Sequence, residues 1–178
     1  MLFRSVGLFF DTQTGNTEEI AERIQSELGG DSVVDLQSIG DVEVSAIAEY
    51  DNIIIGSPTW DMGEMPGGWD GVYEDLDELD LSGKKVAFFG LGDQVGYSDN
   101  YLDAMGNLAA KITGCGASAV ADRVCAESDY EHDASTAVKD GYFVGLALDL
   151  DNQPDETDAR IQAWIEQVKS ALDRKSVV

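Results

Sequence analysis

The chain is poor in cysteine, histidine and basic side chains, and it has no long apolar run. Two cysteines, Cys115 and Cys125, without CxxC spacing, support neither a disulfide framework nor a zinc site, and read as small reduced side chains. A single histidine, His132, stands alone in a polar segment and is expected to face solvent, so no metal cluster or nucleophile–base pair can be assembled around it. Only 11 Lys and Arg oppose 35 Asp and Glu, a net charge of -24. Such a surface repels nucleic acid and anionic lipid and attracts a basic protein face, although the same acidity could simply keep a small protein soluble or suit a salty setting. Near the start, Arg4 and the early break at Asp11 interrupt the first apolar run far short of a signal peptide or membrane span. A soluble, cytoplasmic protein is expected.

What is present is an alternation. With 43% hydrophobic residues, 178 residues suit one domain spanning 1–178. Apolar runs without strong periodicity occur at Val6–Phe10, Val33–Leu36, Ile53–Gly56, Val86–Gly90 and Ala117–Ala121, the pattern of strands buried on both faces. Between them Ile20, Ala21, Ile24 and Leu28 recur at helical spacing, as do Leu102, Met105, Leu108, Ala109 and Ile112. A last helix carries Ile161, Trp164, Ile165, Val168 and Leu172 on one face, with Thr157 as its expected N-cap. Strand and helix in turn predict a doubly wound α/β sheet with helices on both faces, whose ligand sits beyond the carboxyl ends of the strands. The polar stretch 122–141 between Ala117–Ala121 and the apolar run Tyr142–Leu148 reads as a long insertion interrupting a fifth strand.

Three loops then share one edge of the sheet. Thr12-Gln13-Thr14-Gly15-Asn16-Thr17 joins the first strand to a helix, where unpaired backbone N–H groups, a positive dipole end and nearby hydroxyls suit a phosphate. The loop has no Lys or Arg and neither GxxxxGK[ST] nor GxGxxG spacing, which favours one terminal phosphate over a triphosphate or pyrophosphate. Trp60 follows the third strand and Tyr97 the fourth, so a flat aromatic ligand could lie between them.

Taken together, Thr-Gln-Thr-Gly-Asn-Thr, Ser-Pro-Thr-Trp, Gly-Asp-Gln-Val-Gly-Tyr-Ser-Asp-Asn and Gly-Leu-Ala-Leu-Asp-Leu-Asp-Asn-Gln resemble flavodoxin motifs almost from end to end. The insertion resembles the loop that marks long-chain flavodoxins. The resemblance implies a five-stranded parallel sheet in the order 2-1-3-4-5, an order that is itself a standard example of ligand binding at a strand switch point and is not read from the residues. It further implies FMN as cofactor, with Thr12, Gln13, Thr14, Gly15, Asn16 and Thr17 holding its phosphate and Trp60 and Tyr97 flanking its ring. Pro58, Thr59, Asp61, Met62, Leu91, Gly92 and Asp93 would contact the ring's polar edge, and Asn100, Tyr101 and Asp149 match positions close to it. The implied function is a low-potential one-electron carrier, a monomer serving in place of ferredoxin, with basic partners such as a ferredoxin-NADP reductase or a photosystem I-type donor. A negative surround disfavours the fully reduced, anionic flavin, consistent with one-electron transfer.

Some positions depart from the family pattern. Asp11 stands where many members carry glycine or a small residue: an inward carboxylate would oppose phosphate, whereas an N-cap-like orientation would be harmless. Leu91 replaces a frequent threonine. Asp61 replaces glycine at the peptide that rotates against the flavin in the family, and with Glu64, Asp70, Glu74, Asp75, Asp77, Glu78 and Asp80 it forms an acidic cluster that is either a docking rim or a solvated helix face. Two rival readings are an FMN-dependent NAD(P)H:quinone oxidoreductase, which needs an uncovered flavin face, and a phosphorylatable receiver module, which needs an aspartate after the third strand where this chain has Ser57-Pro58-Thr59.

Overall fold

The computed structural model describes residues 6–60, 62–127 and 129–172. The unbroken apolar runs become strands because both of their faces are covered. β1 (Val6–Phe10) and β3 (Asn52–Pro58) are buried throughout, and β4 (Lys85–Leu91) is buried from Val86 onward. With β2 (Val34–Ser38) and β5 (Ser118–Ala119) they form a parallel sheet in the order β2-β1-β3-β4-β5, in register through Val6↔Val34, Gly7↔Ile53 and Ile53↔Val86.

Alternation along the strands separates two cores. Phe9, Ile53, Ile55, Val86 and Phe88 face α3 (Asp103–Gly114) through Met105, Leu108 and Ile112, together with Trp69 of the short α2 (Gly67–Val72). Val6, Leu8, Phe10, Ile54 and Phe89 face Ile20 and Ile24 of α1 (Asn16–Glu27) and Ile161, Trp164, Ile165 and Val168 of α4 (Thr157–Ala171). The expected N-cap of α4 is displaced: Glu156 occupies that position, following a 3₁₀ turn at Pro154–Glu156, and Thr157 is the first helical residue.

The fifth strand is indeed interrupted. β5 pairs with Lys85 and Val86, while β9 (Leu146–Leu148) continues the same edge by pairing with Phe89, Gly90 and Leu91. The first piece is shorter than 117–121 because Ala121 adopts a left-handed φ of 52°, which turns the chain away. Tyr142 and Phe143 do not belong to the fifth strand as their apolar run suggested. They form β8 (Tyr142–Phe143), the centre of a small antiparallel sheet with β6 (Val124–Cys125) and β7 (Val138–Lys139). Gly145 makes the return possible, since a Cβ there would lie 2.1 Å from the Phe88 carbonyl oxygen.

The insertion is anchored to the loop after β4. Gln94 is buried; its Oε1 accepts from the Glu131 amide at 2.6 Å, and its Nε2 donates to Gln153 Oε1 at 2.7 Å. Ser98 Oγ donates to Asp133 at 2.9 Å, and the Thr136 amide donates to Asp103 Oδ1 at 2.8 Å. Beneath the strap, Tyr101, Tyr130 and Phe143 pack edge to face or tilted, with centroids 4.8–6.1 Å apart. His132 is not simply solvent-facing: it is half-buried, its ring lies against Phe143, and its Nε2 is 2.9 Å from the Ala126 carbonyl oxygen.

Gln94→Ala removes two side-chain bonds made from a buried position, so it is expected to destabilise the protein by about 1–3 kcal/mol in denaturant titrations. A change below about 0.5 kcal/mol would contradict the anchoring role. Burial raises the Tyr101 phenol well above its ordinary value and the Tyr130 phenol to about 12. Their contribution to stability is therefore complete below pH about 10 and is lost as pH rises through the folded values. Phenolate absorbance should show these two of the six tyrosines ionising late, together with unfolding; six tyrosines titrating reversibly near pH 10 would contradict the packing.

Candidate functional site

At the carboxyl ends of β1, β3, β4 and β9 the loops enclose an open cleft of about 200 Å³. Thr14, Asn16 and Thr17 line it from the first loop, Pro58, Thr59 and Trp60 from the second, Leu91, Gly92, Asp93 and Tyr97 from the third, and Leu150 and Asp151 from the fourth.

A parallel sheet sends helix N-termini to this edge, and each brings amide groups that lack acceptors within the helix. Those of α2 and α3 are met by side chains from neighbouring loops. Asp11 Oδ2 accepts from the Gly68 and Trp69 amides at 2.7 and 3.2 Å, and Thr59 Oγ1 accepts from the Ala104 amide at 3.0 Å. At α1 the N-cap is Gly15 with φ 90°, a conformation natural to glycine, and no side chain caps the helix. Thr12 Oγ1 accepts from the Gly15 amide at 2.9 Å and so closes the loop before the helix begins. The amides of Asn16, Thr17 and Glu18 find no acceptor among the described residues. They form an electropositive end beside the cleft, suited to an anion.

The aromatic walls are held by their own turns. From Trp60 to Glu64 the chain doubles back, with the Trp60 amide 3.0 Å from the Glu64 oxygen and the Glu64 amide 2.7 Å from the Trp60 oxygen. Trp60 is half-buried, and its indole Nε1 is a buried donor without a partner among the described residues. Across the cleft, the Tyr97 amide donates to the Asp93 oxygen at 3.1 Å, while Asp93 Oδ1 accepts from Val95 at 3.0 Å, Gly96 at 2.7 Å and Asn152 Nδ2 at 2.8 Å. The Gly96 amide, chief among these donors, holds the Asp93 carboxyl below its usual range. Met62 and Val95, which are largely exposed, and Tyr97 are the exposed large apolar side chains among the described residues.

Several positions singled out by sequence lie outside the lining. Thr12, Gln13 and Gly15 shape the first loop, and Met62 projects at the rim. Asn100 Nδ2 donates to Asp103 Oδ2 at 3.1 Å. Tyr101 is buried with Tyr130 and Phe143, behind the cleft. Asp149 is fully buried and its carboxylate accepts from Gln94, Asp151 and Asn152 amides and from Asn152 Nδ2 at 2.9–3.2 Å, so it fastens the third loop to the fourth. Asp61 lies outside the described residues. Leu150 and Asp151 were missed; their position just beyond the last strand was the available signal.

The orientation of Asp11 is resolved. Its carboxylate is N-cap-like, turned to α2 and to the Thr12 amide at 2.9 Å. Among the described residues no Lys or Arg lines the cleft, whose charged lining residues are Asp93 and Asp151. An anion here would be held by neutral donors, in a cleft that Trp60 and Tyr97 also line.

The flavodoxin sequence profile matches residues 8–164. A flavodoxin of Synechocystis sp. is 53% identical over 167 residues, covering 94% of this chain and 97% of its own. A flavodoxin of Klebsiella pneumoniae is 38% identical over 172 residues, with 97% of each chain covered. Among solved structures, a Fusobacterium nucleatum flavodoxin bound to flavin mononucleotide superposes with a TM-score of 0.85 at 27% identity, covering 94% of this chain and 98% of that one. With sequence and structure in agreement over nearly the whole length, the chain belongs to the flavodoxin family.

Proposed function

We propose that the chain is a long-chain flavodoxin that binds FMN without a covalent bond and carries single electrons between redox proteins of the cytoplasm. The observation that carries the reading is the uncapped N-terminus of α1 opening into the same cleft as Trp60 and Tyr97. Asn16 and Thr17, with the neighbouring amides of the first loop, would hold the phosphate. Trp60 and Tyr97 would cover the two faces of the ring, and the loops at Pro58–Thr59 and Leu91–Asp93 would meet its polar edge. The orphaned indole Nε1 of Trp60 offers a donor to a polar group of the ligand.

FMN would supply the redox chemistry; the protein supplies position and field. Its acidic surround raises the energy of any added negative charge at the ring, which favours electrons taken one at a time. Covering both faces of the ring disfavours the quinone-oxidoreductase alternative, because a nicotinamide or quinone needs one of them. Glu64, Asp70, Glu74, Asp75, Asp77, Glu78 and Asp80 are exposed along the segment after Trp60 and suit a basic partner such as a ferredoxin-NADP reductase or a photosystem I-type protein, met by a monomer. No helix among the described residues is long and apolar enough to cross a membrane.

Titrating the apoprotein with FMN should quench the flavin's fluorescence at one per chain, and Trp60→Ala or Tyr97→Ala should each weaken binding by about 2- to 12-fold, the range that one aromatic stacking contact supplies. No quenching by the unaltered chain would refute the proposal. Electron transfer to a basic reductase should slow steeply as ionic strength rises from about 0.01 to 0.15 M. A rate indifferent to salt would remove the docking role of the acidic segment.

A further inference from the structure

Asp11 is nearly buried and touches no ligand-facing atom of the cleft, yet it joins the two halves of the site. Its Oδ1 accepts from the Thr12 amide at 2.9 Å, at the start of the phosphate loop. Its Oδ2 accepts from Gly68 at 2.7 Å and Trp69 at 3.2 Å, in the helix that follows the Trp60 turn. The same two segments meet again at Gly56 of β3, whose carbonyl oxygen accepts from the Asp11 amide at 3.3 Å and from the buried Trp69 indole Nε1 at 2.9 Å. The result is a closed ring of hydrogen bonds running from the phosphate loop through one carboxylate to α2 and back through β3.

A buried carboxylate is costly unless several donors meet it, and here three backbone amides do, two of them at a helix N-terminus where the dipole also favours a negative charge. Those donors neutralise the anion locally, so it need not repel a phosphate on the far side of the loop. Glycine at this position would leave the Gly68 and Trp69 amides to find other acceptors. Asparagine has the same shape but presents an NH₂ group where an amide already donates, so it cannot serve both segments at once.

We propose that Asp11 is a positioning residue that locks the phosphate loop to the Trp60 loop, so that phosphate and ring are gripped as one unit. The inference rests on the FMN reading above, and riboflavin, which lacks the phosphate, separates the two. Affinities of FMN and riboflavin are measured by fluorescence quenching for the unaltered chain, Asp11→Gly and Asp11→Asn, with circular dichroism to establish folding. Amide hydrogen exchange is followed at Thr12, Gly68 and Trp69. The expected result is that both variants weaken both ligands by tenfold or more and by similar factors, with protection lost at Thr12, Gly68 and Trp69 in Asp11→Gly and on one of the two sides, Thr12 or Gly68 and Trp69, in Asp11→Asn, while the distant α3 amides keep theirs. If Asp11→Gly does not fold, Asp11→Asn gives the same reading.

Tighter FMN binding with riboflavin unchanged would show that Asp11 acts as a repulsive charge and would overturn the proposal. Weaker FMN binding with riboflavin unchanged would confine Asp11 to the phosphate loop and overturn the coupling, as would no change in either ligand. An unaltered chain that binds FMN but not riboflavin would leave no grip at the ring for Asp11 to support, with the same consequence. An unaltered chain that binds neither would instead remove the FMN reading itself.

Discussion

Backbone amides at the start of a helix must find acceptors, and this requirement organises the carboxyl edge of the sheet. Right-handed crossovers in a parallel sheet deliver helices to that edge whether or not a ligand is wanted there. Here Asp11 answers α2 and Thr59 answers α3, each from a loop distant in sequence. Of these three, only α1 has no side-chain acceptor for its first amides among the described residues, and Gly15 at its N-cap keeps the approach free of a Cβ. The same bonds that satisfy α2 and α3 also fix the walls around the exposed end of α1. Binding capacity at one helix is thus a consequence of satisfaction at the other two.

The acidity of the chain is compatible with this arrangement because charge and donors are kept apart. Two carboxylates around the cleft are used within the protein, while Asp151 stands exposed in its lining: Asp149 binds four donors from the third and fourth loops, and Asp93 binds the turn that carries Tyr97. Much of the remaining negative charge is exposed, including the segment after Trp60. A field of this kind acts on a redox group through its energy of charging and on a partner through steering, without weakening the local hydrogen bonds that define the site.

Most of this architecture is legible in the residues. Buried strands read as unbroken apolar runs, and Val6–Phe10 is found with the expected ends. The aromatic positions Trp60 and Tyr97 and the loop Thr12–Thr17 converge because strand ends in an α/β sheet must converge. What escaped is what depends on distant partners. Asp149 stands in a motif, but its buried carboxylate turns inward to accept the amides of the turn that follows β9, and that turn presents Leu150 and Asp151 to the cleft. His132 is half-buried only because the insertion folds over Phe143. Tyr142 and Phe143 carry strand propensity correctly, but propensity does not say which sheet a strand will join. The direction of the Asp11 carboxylate depended on the amides of Gly68 and Trp69, more than fifty residues away, and no local rule reaches that far.

The central claim is that the first turn of α1 is the anion site of this fold and that its neighbours are already satisfied. Amide NMR of the ligand-free, isotopically labelled chain during titration with inorganic phosphate tests it most directly. The account predicts shifts concentrated at Asn16, Thr17 and Glu18, with Gly68, Trp69 and Ala104 unmoved. Shifts at Gly68, Trp69 or Ala104 in place of those at α1, or no shift at α1 at saturating phosphate, would contradict it.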